Sequence, residues 1–138
     1  MSAPLTVSGM VNAKVLSVVI LAAAQCSVWL VLLKLNGIVI HNTLWILLLA
    51  FIVAGITSVS AALTAVLLRD RERSQFLYAL MLLTAIALSN LLSISPITTL
   101  SRLAIGDYYT NGWMVALFAG FLAGLYLLLR KVSHRIMV

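Results

Sequence analysis

The stretch Arg69-Asp70-Arg71-Glu72-Arg73-Ser74-Gln75 places five charges in five consecutive residues, with long apolar runs on either side. A bilayer core has no water to solvate such a cluster, so it must lie outside the hydrocarbon. Its excess of arginine over acid predicts the cytoplasmic side by the positive-inside rule. The flanking runs acquire a direction from that assignment.

The runs are long enough to cross. Residues 15–33 carry no charge and span a core of roughly 30 Å as a helix. Before them, Pro4, Gly9 and small polar residues suggest a surface turn or short helix. Lys34 and the Asn36-Gly37 pair end the first span, and a short turn leads to a second apolar run at 44–68. A third span is expected at 76–92 and a fourth at 113–129, followed by the basic tail Arg130-Lys131-Val132-Ser133-His134-Arg135. Composition agrees: 64% of the 138 residues are hydrophobic and only 9% charged, against about 25% charged in soluble domains. The chain reads as a single all-α integral membrane domain with four transmembrane helices.

Between the third and fourth spans, Ser95-Pro96 has the form of a helix start and Gly106 that of a stop. Residues 95–106 are too short to span, and Ile97, Leu100, Leu103 and Ala104 fall on one face. A short extracellular or interfacial helix is expected there, beside a belt of Tyr108, Tyr109 and Trp113. With this layout Lys14, Arg69, Arg71, Arg73, Arg130, Lys131 and Arg135 fall on one side, and Lys34 and Arg102 on the other. Seven against two predicts both termini in the cytoplasm; the chain is expected to be integral to the cytoplasmic membrane. The net charge of +6 then serves topology rather than nucleic-acid binding.

Catalytic groupings are sparse. Asp70, Glu72 and Asp107 are the only acids, and none lies in an expected span. His41 and His134 are placed on opposite sides, and Cys26 is the single cysteine, so no multi-residue metal site, disulfide or cofactor is expected. Nor is there a phosphate-cradling loop. The chain is not expected to be an enzyme. Gln25 and Asn90 are the most polar side chains inside the spans, suited to interhelical hydrogen bonds or to lining a substrate route. Ala54, Ser58 and Ala62 on the second span, with Ala50, and Gly120 and Gly124 on the last, form small-residue faces for helix packing.

The order of these features resembles the type-two ABC transporter permeases. The leading S-A-P-L-T-V-S-G-M-V-N-A-K is similar to their cytoplasmic segment, with Pro4, Gly9 and Lys14 in the matching places. The loop pattern S-P-x-T-x-L-x-R-L-A-x-G-D is matched by Ser95, Pro96, Thr98, Leu100, Arg102, Leu103, Ala104, Gly106 and Asp107. Such permeases have six spans, and the likeness covers their last four.

The resemblance implies a membrane subunit or fragment of an ATP-driven exporter. Residues 1–14 would be a cytoplasmic coupling segment, with Pro4, Leu5, Thr6, Ser8, Gly9 and Lys14 docking a separate ATP-binding subunit. The 95–106 helix would help close the outer exit through Ser95, Pro96, Thr98, Arg102, Gly106 and Asp107. Lipid, the ATPase and further membrane subunits, as a homo- or hetero-oligomer, are the implied partners. A small non-transport membrane protein (an immunity, holin-like or scaffold protein) is the alternative.

Overall fold

A computed structural model describes residues 7–68, 70–92 and 94–136, with side chains left undescribed at 7–8, 108–111 and 134–136. Five helices follow one another: α1 (Val7–Leu35), α2 (Thr43–Leu68), α3 (Arg71–Leu91), α4 (Pro96–Ile105) and α5 (Tyr108–Ile136). No strand occurs among the described residues. Four helices are long and apolar enough to cross a membrane, covering Gly9–Leu35, Thr43–Leu68, Arg71–Leu91 and Gly112–Ser133.

The helices run past the apolar limits read from sequence. Residues 7–14 are not a separate turn or short helix but the opening turns of α1. Gly9 costs a helix about 1 kcal/mol relative to alanine, too little to break a segment that continues into a long apolar run. The charge cluster is likewise not a loop throughout. Arg71 to Gln75 begin α3, and Asp70 caps it by accepting from the Glu72 backbone N–H at 3.2 Å. A cap of this kind satisfies one of the orphan donors of a helix start. The basic segment after residue 129 extends α5 as helix to Ile136.

The centre is α2, against which α1, α3, α4 and α5 all pack. Ile46, Leu49 and Ile52 of α2 form a buried cluster with Leu30 of α1, Leu103 of α4 and Val115 of α5. The directions follow from these pairings. Leu122 lies on Gly55 while Val115, seven residues earlier, joins Ile46 and Leu49, so α2 and α5 run the same way. Leu30, near the end of α1, meets Ile46, near the start of α2, so this pair is antiparallel. α3 returns antiparallel after a connection of only two residues, and its Tyr78 hydroxyl donates to the Thr57 carbonyl at 3.3 Å.

This topology sorts the charges. Lys14, Arg71, Arg73, Arg130 and Lys131 share one end of the bundle, and Lys34 and Arg102 share the other.

Candidate functional site

The end that carries α4 is closely tied. Ser95 is buried and its hydroxyl accepts from the Ile97 N–H at 3.2 Å, with Pro96 at the first helical position. The Thr98 and Thr99 hydroxyls donate to the Ser95 carbonyl at 2.8 and 3.1 Å, and Thr99 also reaches the Met114 sulfur of α5 at 3.6 Å. At the far end Gly106 stands at φ 102°, which L side chains rarely adopt. That conformation turns the Gly106 N–H to the Leu103 carbonyl and the Asp107 N–H to the Arg102 carbonyl, at 3.2 and 3.1 Å. This is a Schellman closure.

The α1–α2 loop completes it. His41 donates its backbone N–H to the Ala104 carbonyl at 3.1 Å, and the Asn42 amide donates to the Leu103 carbonyl at 3.5 Å. The Ala104 carbonyl at the helix end is thus taken up by a loop about sixty residues away, which also adds a second donor to the Leu103 carbonyl. Asn42, at φ 52°, makes that turn before α2 begins. Thr98 and Arg102 point away from this contact and are exposed, as is Asp107.

The opposite end is open. Asp70 and Arg73 form an exposed pair at 3.4 Å, and Gly9 and Lys14 lie on the exposed surface of α1 at the same end. Pro4, Leu5 and Thr6 fall outside the described residues, and Ser8 is described only as backbone within α1.

Between the ends, α1, α2 and α5 leave an open groove of about 360 Å³, lined by Val19, Phe51, Gly55, Val59, Ala123 and Tyr126 among others. Its walls are almost wholly apolar, suited to a lipid chain rather than to a polar solute. Ala54, Ser58 and Ala62 are half-buried on α2, and the Ser58 hydroxyl bonds back to the Gly55 carbonyl at 3.1 Å. The close approach belongs instead to Gly55, where an added Cβ would stand 3.0 Å from a Leu122 methyl. Gly120 and Gly124 face away from the rest of the chain, and a Cβ on either meets nothing within 4 Å. They do not pack α5 onto its neighbours within this chain, because the inward line of α5 runs through Val115, Phe118, Leu122 and Leu129.

Gln25 and Asn90 are both exposed, on helices that flank α2 without packing on each other. The fold therefore brings neither to the other nor into the groove. No group of three metal-ligating side chains occurs among the described residues. Gly55, Tyr78, His41 and Asn42 are the contacts that sequence reasoning missed. The Asn42-Thr43 pair before an apolar run carries a helix-start signal that could have flagged the last of these. Compared with family models, curated proteins and solved structures, the chain matches none of them.

Proposed function

We propose that the chain is a membrane-spanning subunit, or part of one, of an ABC-type exporter. It docks a separate ATP-binding subunit at its basic end and closes the opposite end with α4. The observation that carries this reading is the placement of the two permease-like segments. The S-P-x-T-x-L-x-R-L-A-x-G-D segment forms the tied cap at one end, and the described part of the leading segment, up to Lys14, opens α1 at the other, the end that also carries Arg71 and Arg73. An exporter needs that division, with energy entering on one side and the exit gated on the other.

In this reading the basic end and both termini face the cytoplasm, following the charge bias, and α4 lies at the outer interface of the plasma membrane. ATP hydrolysis falls to the partner, and the apolar groove favours a lipidic or amphipathic substrate. The test is a pull-down in detergent with the ATPase encoded nearest the gene. Leu5→Asp sets a charge in the docking contact and is expected to weaken capture. Arg102→Ala, at the other end, is expected to leave capture intact and to alter export alone. Absence of any ATPase on the wild-type chain, even with two further permease spans supplied in trans, would replace this reading with the immunity or scaffold one.

A further inference from the structure

We infer that a face of α1 centred on Gln25 is a self-association surface, on which the Gln25 amides of two copies hydrogen-bond to each other in the middle of the membrane. Depth is the first observation. Lys14 and Lys34 are the charged residues of α1, twenty residues apart. At 1.5 Å per residue this is about 30 Å, the thickness of a hydrocarbon core. Gln25 falls eleven residues after the first and nine before the second. Its side chain is far too short to reach water at either edge.

Its lack of a partner is the second observation. The other polar side chains along the long helices are mostly hydroxyls that bond to their own backbone. Ser17 donates to the Ala13 carbonyl at 2.8 Å, Ser27 to Ala23 at 2.8 Å, and Thr84 to Leu80 at 2.7 Å. The Gln25 amide is exposed and has no hydrogen bond among the described residues. An amide left so in hydrocarbon costs several kcal/mol. Asn90 shares the exposure, but it lies at the penultimate position of α3, where headgroups and water are at hand.

The pattern around Gln25 is the third. Val18, Leu21, Gln25, Val28 and Leu32 follow one another at alternating spacings of three and four, and all are exposed. That spacing makes a continuous seam for a left-handed helix pair. It is distinct from the packed face of α1, which runs through Val19, Cys26 and Leu30. A second copy is the occupant that fits. Copies inserted with one topology carry α1 parallel and at equal depth, so a two-fold axis along the membrane normal sets each residue beside its own counterpart. A primary amide both donates and accepts, so two glutamines complete each other. The inference does not rest on the exporter reading.

The experiment uses the full chain carrying Cys26→Ser and Val39→Cys, labelled at position 39 with donor or acceptor dye and reconstituted in phosphatidylcholine vesicles. Energy transfer is followed as protein is diluted in lipid. Saturable transfer is expected for this parent, with Gln25→Leu weakening association roughly 3- to 20-fold, the range of single interhelical hydrogen bonds in membranes. Gln25→Asn, which keeps the amide, is expected to retain most of it. Because the Gln25 side chain is exposed within the chain, Gln25→Leu is expected to leave helicity unchanged. In the Cys26→Ser background without the dye site, Leu21→Cys and Val28→Cys are expected to form disulfide-linked dimers, whereas Leu16→Cys and Ser27→Cys, on the other flank, are not. Three results would overturn the proposal: a parent that stays monomeric at every dilution, a Gln25→Leu variant that associates as tightly, or cross-linking through positions 16 and 27 in preference. A fourth would too: in native membranes, cross-linking of positions 21 and 28 to a different membrane chain alone would assign the face to that chain.

Discussion

The two ends of the bundle solve the same problem, how to turn a chain between apolar helices, in opposite ways. At one end a whole helix, α4, is inserted, and its last carbonyls are taken up by the α1–α2 loop through His41 and Asn42. At the other, two residues suffice between α2 and α3, and Asp70 caps the new helix by itself. The first end is held by long-range contacts and by Leu103, which has no exposed surface. The second is held locally and leaves its charges in solvent. Substitutions at the tied end should therefore propagate into the fold, and those at the open end should stay local.

The largest effect is expected from Leu103→Ala. It removes a side chain packed in the cluster of Leu30, Ile46, Leu49 and Val115, and should cost about 2–5 kcal/mol, as buried leucine truncations do. Thermal melting in detergent should fall markedly. Gly106→Ala should follow at about 1–2 kcal/mol, the cost of a left-handed backbone for a residue with a Cβ. The new Cβ would lie 3.5 Å from the His41 side chain, an ordinary contact, so the cost comes from the backbone alone. The same melting curve measures it, and Gly106→Asn should recover part of the loss.

At the open end the expected changes shrink. Asp70→Ala removes a helix cap and should cost about 1 kcal/mol, seen as fraying of the first turn of α3 in hydrogen exchange. Arg73→Ala should leave melting unchanged, because an exposed ion pair at 3.4 Å contributes little. An effect of Arg73→Ala as large as that of Leu103→Ala would erase the distinction between the ends.

What was legible in the sequence follows the same division between local and long-range. Ser95, Pro96 and Gly106 announce the bounds of α4 because caps are set by a few neighbouring residues and by φ. The four apolar helices are legible from length and hydropathy. Which face of each helix packs is not, because lipid-facing side chains are as apolar as those against a neighbouring helix. Both sides of α1 are apolar, and only the fold shows that Val19 and Leu30 turn inward while Gln25 turns out. The glycines make the same point. Gly120 and Gly124 have the conspicuous spacing, yet Gly55 makes the close approach, because Leu122 of a helix distant in sequence happens to lie over it. The start of α3 inside the charge cluster is hidden for another reason. Arginine and glutamate have good helix propensity and Asp70 supplies a cap, so a cluster that excludes the bilayer does not exclude a helix.

The central claim is that the α4 end and the basic end face opposite sides of a membrane. It is tested most directly by single cysteines in a Cys26→Ser background, one at Val39 in the α1–α2 loop and one at Gln75 in the first turns of α3. Both positions are exposed, whereas Ser74 is buried with its hydroxyl on the Arg71 carbonyl and would report poorly. With a membrane-impermeant maleimide on intact cells, Val39→Cys should label at once and Gln75→Cys only after permeabilisation. Labelling of both from the outside, or of neither before permeabilisation, would contradict the account, and labelling of Gln75→Cys alone would reverse the orientation that the charge bias predicts.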